Sequence, residues 1–558
     1  MSGTNRRNFI LNTALGGVGA YYLDSIKIVD QILKGVVSNA HAQSLGGKKI
    51  LSFFNDGGMP NWMFNLGLYP HGVTPDEQYK IPGLGTNIEA STGKATFNQS
   101  QRGDYYYPPV WFYPIPTYSN GTISTSWISP ETLLDSSLIV RGIWNPSDGH
   151  ELSQFVTYRP IGSNHSLHGI FTNQAQLKLP AILIDHTRRI YTNYSSPDGV
   201  KAIVESNATN TMNSISSSFT EKASLFRKNP QIDSLIKSAL KELDNNSFYK
   251  KNSSKINRNN AEELIRSNMA GLVTEFQTKK LKYLMLFEHA TKFNAADANT
   301  HLAGLLDQPL TNYSSNIWGL NFIDRKDLKF AENRDLRELF NNSIKADYIS
   351  EAFAMAEVLF ENNLSSSIVA MGGSFSLKSD ILLKISNSLP HTNNQVTFHS
   401  DDGHDFGLAF QTLTWSMYSR GYIACLYEFI SHLKSKQLFE NILITYSTDF
   451  ARNPQITGNA SDHGWNANSI MVFNGEINSP LMVGNTYANA ATLTKDNFRK
   501  NMWGLGKESE VLKNHIGLGN MNNTVLQLAG LPGNTNNSEN LLTKNNGKWA
   551  EREKPKTV

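Results

Sequence analysis

Two short apolar runs, one near each end of the chain, lead directly into an aspartate. The first is Lys49–Asp56, which is followed by a glycine pair, and the second is Asn441–Asp449. Runs of this length bounded by turn residues predict buried strands. Because open α/β sheets build their sites at the carboxyl ends of their strands, Asp56 and Asp449 predict a site at that edge.

The composition narrows the class of protein. The chain has 558 residues, enough for several domains or one large elaborated domain. Charged residues make up 18% of it and the net charge is only +3, which gives no support for nucleic-acid binding. The single cysteine, Cys425, excludes an intrachain disulfide and lies in an apolar helical pattern, so we expect it to be buried.

Strand patterns alternate with helix patterns along the chain. This order predicts an α/β fold with a doubly wound, mainly parallel sheet flanked by helices. The expected parts are a first section of the core with a long loop excursion (48–200), a helical insertion or cap (201–349), a second section of the core (350–540) and a mobile tail (541–558). The aromatic cluster at 105–113 predicts a small loop core, with a ligand groove as the alternative.

The amino terminus resembles a twin-arginine export signal. Arg6 and Arg7 precede a weakly apolar run, and Ala40–Ala42 offers a small-x-small cleavage site. The resemblance implies a signal peptide over 1–42, export of the folded protein by the twin-arginine translocase, and a periplasmic or secreted location. An ordinary amphipathic helix is the alternative. No other run approaches the roughly 18 apolar residues that a transmembrane helix requires.

Two further motifs place carboxylates beside imidazoles. Asp402 and His404 lie in a segment of three acids and two histidines, whose like charges repel unless a cation neutralises them. His463 follows an aspartate in a loop before the strand expected at 470–473. Carboxylate oxygen and imidazole nitrogen suit zinc, manganese or iron, and two such ions would clamp both oxygens of an in-line displacement. A solvated acidic loop is the alternative for 399–405.

Two other side chains are candidates for direct roles. Ser147 could be a nucleophile activated by a metal or by His150, although the same segment has strong turn chemistry. Arg452 could stabilise an anionic transition state, because a guanidinium matches phosphate and sulfate geometry. A surface salt bridge is the alternative for Arg452.

Taken in order, these residues resemble the alkaline phosphatase superfamily, which includes phosphatases and sulfatases. Within it, the chain is most similar to the family called domain of unknown function 1501. The Asp-Thr-His motif of that family resembles Asp402–His404, its Glu-Phe-Gly-Arg-Thr-Pro motif resembles Asp449–Pro454, and its Asp-His pair resembles Asp462–His463. The likeness is strongest over 350–532.

The resemblance implies an exported, metal-dependent hydrolase that acts on small-molecule or glycan esters of phosphate or sulfate. Asp402, His404 and His463 would then hold one ion, and Asp56 and Asp449 would hold a second or orient the first. The well-studied hydrolases have a histidine where this chain has Phe450. A single-metal site, or a non-catalytic envelope- or glycan-binding or assembly protein, is therefore the alternative.

Overall fold

The computed structural model describes the chain in segments. They are residues 47–57, 61–67, 86–88, 95–97, 101–147, 149–175, 179, 181–185, 193–213, 270–291, 328–330, 344–372, 375–378, 382–384, 391–392, 395–398, 408–454, 461–464, 468–486, 506–535 and 538–556. The predicted signal at 1–42 and the Asp402 and His404 motif lie outside these residues.

An eight-stranded sheet forms the centre of the described structure. Its strands are β1 (Lys49–Asn55), β2 (Ser137–Ile143), β3 (Ile182–Asp185), β4 (Ile203–Glu205), β5 (Ser367–Gly372), β6 (Ile442–Thr448), β7 (Asn468–Phe473) and β8 (Leu481–Val483). The spatial order is β4-β3-β5-β1-β6-β7-β2-β8. Strand β7 runs antiparallel to both of its neighbours, and the other neighbouring pairs in this sheet are parallel. The predicted α/β class is confirmed as a mixed, mostly parallel sheet flanked by helices.

Seven of the described α-helices have defined bounds. They are α1 (Asn61–Phe64), α2 (His150–Thr157), α3 (Leu167–Ala175), α4 (Ala270–Thr291), α5 (Asp347–Glu361), α6 (Leu408–Ser435) and α7 (Leu518–Leu528). Short 3₁₀ helices span Pro109–Phe112, Glu131–Ser136 and Phe439–Asn441. In these segments no helix combines the length and the apolar character needed to cross a bilayer.

The sheet separates two hydrophobic cores. Strand β1 is buried along its whole length, as a strand covered on both faces should be. Its Leu51 and Phe53 pack with α4, α5 and α6, whereas Ile50 and Phe54 pack with α2, α3 and α7. The period of two along an extended strand produces this division. Helix α4, which lies within the predicted insertion, therefore belongs to a core layer.

Seven two-stranded sheets and one four-stranded sheet are also described. The pairs are Thr86–Ile88 with Ala95–Phe97, Gln101–Arg102 with Tyr105–Tyr106, Ile115–Ser119 with Thr122–Ile128, Leu328–Phe330 with Leu382–Lys384, Ala451–Pro454 with Ser461–Gly464, Asn485–Thr486 with Gly506–Lys507, and Leu542–Asn545 with Lys548–Glu551. The four-stranded sheet contains Ile344–Lys345, Phe375–Lys378, His391–Thr392 and Gln395–Phe398.

The aromatic segment 105–113 contributes to the main core. Trp111 is fully buried, donates from its indole to the carbonyl oxygen of Phe64 at 2.6 Å and packs on that ring at 5.0 Å. Tyr105 and Tyr107 are buried as well. The cluster thus extends beyond the loop core that the sequence predicts, because its rings meet α1 and the sheet.

Cys425 is buried in α6, as the sequence predicts. Its thiol donates to the carbonyl oxygen of Tyr283 at 3.3 Å. Burial raises the pKa of this thiol well above its usual range, and the resulting lack of thiolate makes Cys425 unsuited to nucleophilic attack.

The buried histidine of α3, His168, predicts that the folded protein loses stability in acid. His168 is 1% exposed, its Nδ1 lies 2.8 Å from Ser367 Oγ, and burial lowers its pKa from 6.5 to about 3. Between these values the unfolded chain binds a proton that the folded chain does not, so stability falls as the pH falls below 6.5. We expect His168 to account for about 2 kcal/mol of lost unfolding free energy between about pH 7 and pH 5.

Urea unfolding of the wild type and of His168→Asn at the two pH values measures this contribution. The asparagine keeps a polar group near Ser367 but does not titrate in this range. The acid-induced loss should therefore be smaller in the variant by about 2 kcal/mol. Equal losses in both proteins would refute the assignment.

Candidate metal centre

Asp56 and Asp449 meet at the carboxyl edge of the sheet. Strands β1 and β6 are parallel neighbours whose final residues, Asn55 and Thr448, lie in register. Each aspartate directly follows its strand, so both aspartates lie at the same edge of the sheet. Gly57 adopts a φ of 96°, a left-handed conformation that favours glycine, and turns the chain immediately after Asp56.

Backbone groups fix the carboxylate of Asp449. It is fully buried, and its Oδ2 accepts a hydrogen bond from the Gly57 amide at 3.2 Å while Oδ1 accepts from the Phe450 amide at 3.0 Å. The side chain of Asn145 donates to the Asp449 carbonyl oxygen at 2.5 Å. The loop that follows β2 is therefore tied to the end of β6 across the intervening strand.

Helix α2 brings a histidine and a glutamine to the two aspartates. It begins at His150, whose Nδ1 lies 2.5 Å from Asp449 Oδ2. One turn later, Gln154 donates from its side-chain amide to Oδ1 of Asp56. Gln154 is almost completely buried, and 26% of the His150 side chain is exposed. Solvent therefore reaches the site at His150 and at Asp56, which is also only partly buried.

The three ionisable side chains form a group that could hold a metal ion. Ligand atoms of Asp56, His150 and Asp449 all lie within 4.8 Å of one another. Two carboxylates and one imidazole are a donor set that zinc, manganese and iron accept. The amino terminus of α2 adds a positive dipole end at the same place, which favours a bound anion.

His150 provides the histidine that the sequence alone does not place here. The residue next to Asp449 is Phe450. The ring of His150 packs against that of Phe450 in a tilted arrangement, with 4.6 Å between the ring centroids. Phe450 thus contributes a packing surface for an imidazole that comes from another part of the chain.

A second group with potential metal ligands lies between helices α4, α5 and α6. It contains Glu357, Glu361 and His432. Lys279 and Lys282 already donate to the two oxygens of the buried Glu357 carboxylate. Because these ammonium groups neutralise the charge that a metal would otherwise balance, we regard this group as a structural ion-pair network.

Other predicted site residues lie at the same rim or outside the described residues. The backbones of Arg452 and His463 lie opposite each other in the hairpin that follows Asp449. Asp402 and His404 belong to the part of the chain that the structure does not describe. Ser147 lies in the loop before α2, where its Oγ accepts from the Gly149 amide at 2.9 Å, the turn contact that the sequence offers as the alternative to a nucleophile.

Two residues of this site are missing from the sequence-based set. The sequence suggests His150 only as a base for Ser147 and gives no role to Gln154. The sequence signal that could identify them is the spacing of four residues between His150 and Gln154 at the start of a helix. Residues with this spacing share one face of a helix.

Comparison with models of known protein families, with curated proteins and with solved structures finds no match for this chain.

Proposed function

We propose that this protein is a divalent-metal-dependent hydrolase of phosphate or sulfate esters. The observation that carries the proposal is the convergence of Asp56, His150 and Asp449 at the carboxyl edge of a mostly parallel sheet. Zinc, manganese and iron are the candidate ions, and the resemblance to the alkaline phosphatase superfamily favours an ester substrate. The export predicted from the amino terminus would place this activity in the periplasm or outside the cell.

The three ligands would hold an ion that polarises an ester oxygen and acidifies a bound water. The protein supplies the surroundings. Asp449 is held by two backbone amides, so its carboxylate keeps one orientation. The amino terminus of α2 favours an anionic ester group beside His150. Arg452 and His463, whose backbones are paired in the adjoining hairpin, are the proposed anion-binding and additional metal-binding residues.

A metal-independent hydrolase is the second candidate. It is favoured by the hydrogen-bonded pair of His150 Nδ1 and the buried Asp449 carboxylate. An aspartate that holds one imidazole nitrogen leaves the other to act as a general base, on water or on a hydroxyl such as Ser147.

Metal analysis and turnover of nitrophenyl phosphate and nitrophenyl sulfate test the proposal. The purified full-length protein should contain a transition metal and lose turnover when a chelator removes it. In His150→Ala we expect bound metal and turnover to fall together by at least about 100-fold, because a ligand matters more than the outer partners whose loss costs about 10–100-fold. The half-buried His165, which lies outside this site, supplies the control variant His165→Ala.

The possible outcomes separate the candidates. Turnover that survives the chelator but is lost in His150→Ala would replace the metal mechanism with the histidine–aspartate base. Protein that carries no transition metal and hydrolyses neither ester would overturn both, and a non-catalytic binding or assembly role would take their place.

A further inference from the structure

One face of α2 spans both aspartates of the candidate centre. His150 and Gln154 are four residues apart and therefore share that face. His150 contacts Asp449, and Gln154 contacts Asp56. A single helix therefore contacts the two carboxylates that follow neighbouring strands.

The surroundings of Gln154 hold its amide in place. The residue is 1% exposed. The preceding residue, Ser153, donates from its hydroxyl to the Ser147 carbonyl oxygen at 3.0 Å. One turn after Gln154, the hydroxyl of Tyr158 lies 2.8 Å from Ser447 Oγ on β6. These contacts tie the backbone of α2 to the loop before it and to the sheet, and so fix the position from which Gln154 donates to Asp56.

We propose that Gln154 is a positioning residue that sets both the affinity and the selectivity of the metal centre. This inference rests on the proposed function, because it concerns the same site. Hydrogen bonds to a ligating carboxylate fix its orientation, and removal of such partners costs about 10–100-fold in metal affinity. Gln154 makes one of these bonds to Asp56.

The neutrality of Gln154 is the source of the selectivity. An amide donates a hydrogen bond without adding a charge, so the ionisable donors remain two carboxylates and one imidazole. A glutamate at this position would add a third carboxylate beside Asp56. Oxygen-rich sets suit manganese, whereas sets that depend on imidazole suit zinc. Compared with a glutamate at this position, Gln154 therefore shifts the preference of the centre toward zinc and away from manganese.

Metal titration of the metal-free, full-length protein tests this role. Dissociation constants for Zn²⁺ and Mn²⁺ are measured by competition with a chromophoric chelator, and Tm is measured without metal. In Gln154→Ala we expect both metals to bind about 10–100-fold more weakly, with little change in the metal-free Tm. In Gln154→Glu we expect the ratio of the Zn²⁺ to the Mn²⁺ dissociation constant to rise. The control is Leu152→Ala, at an exposed position of the same helix.

The outcomes distinguish this inference from the function on which it rests. A wild type that takes up neither ion refutes the metal centre itself. A wild type that binds metal no more tightly than Gln154→Ala, with a lower metal-free Tm in the variant, shows that Gln154 is only structural. If Gln154→Ala does not fold, Gln154→Glu carries the test, and an unchanged ratio of dissociation constants overturns the inference.

Discussion

Replacing Glu357 with glutamine should destabilise the protein by about 3–5 kcal/mol. Glu357 lies on α5 with no exposed surface and accepts hydrogen bonds from Lys279, from Lys282 at 2.9 Å and from the Tyr283 hydroxyl at 2.5 Å. Burial would raise the pKa of its carboxyl, but the two lysines and the tyrosine outweigh burial and lower it. The carboxylate therefore carries a charge that helix α4 balances.

The large effect follows from what the substitution leaves behind. Lys282 is 7% exposed and would face a neutral amide in place of the Glu357 carboxylate, with Glu428 at 3.1 Å as its remaining carboxylate partner. Removing one partner of a buried ion pair costs far more than the net contribution of the pair, because the other charge stays desolvated. Unfolding in urea, followed by circular dichroism, measures the change.

Glu361 provides the matched control on the same helix. Its side chain is 18% exposed and pairs with His432. Glu361→Gln should cost no more than about 1 kcal/mol, as expected for a pair near solvent. Equal losses in the two variants would mean that the burial of Glu357 adds nothing to the effect, and the desolvated Lys282 charge would then not be its cause.

The strands were the most predictable part of the fold. Apolar runs within Lys49–Asp56 and Asn441–Asp449 predict β1 and β6 closely, because strands covered on both faces need a continuous apolar sequence. The direction of β7 was not predictable. Its four-residue apolar pattern at 470–473 is the same for either direction, and only pairing with β6 and β2 decides it.

The candidate site was predictable only where its residues follow strands directly. Asp56 and Asp449 are placed by the strand ends and meet as the doubly wound pattern requires. His150 reaches them because the loop after β2 is held across β7 by Asn145. That contact is tertiary, and no periodicity in the sequence reports it.

The carboxyl-terminal segment differs from the mobile tail that its polar sequence predicts. Residues Leu542–Asn545 and Lys548–Glu551 form a hairpin, and Leu541 and Leu542 are buried in the core beside α7. The charged composition does not indicate this packing, because a charged residue of the segment has a structural role. Glu551 accepts hydrogen bonds from the Tyr105 hydroxyl and from the Met482 amide. The segment therefore supplies hydrogen-bond acceptors to the core, although its sequence is typical of a solvent-exposed tail.

Deleting residues 541–558 should therefore cost more than about 4 kcal/mol. Burial of Leu541 and Leu542 contributes about 1.5–3 kcal/mol each. The carbonyl oxygen of Lys556 accepts from the fully buried Arg141 guanidinium at 3.0 Å and from the Thr486 amide at 2.9 Å, and donors buried without a partner cost about 1–3 kcal/mol each. Arg141 lies in the middle of β2, so the deletion acts directly on the sheet.

Two point variants keep this prediction testable if the shortened chain does not fold. Glu551→Ala removes the acceptor of Tyr105 and Met482 and should lower the unfolding free energy by about 1–3 kcal/mol. Lys548→Ala, at an exposed position of the same hairpin, should change it by less than about 0.5 kcal/mol. A deletion variant with the wild-type Tm would show that the hairpin adds nothing to stability and would refute the prediction.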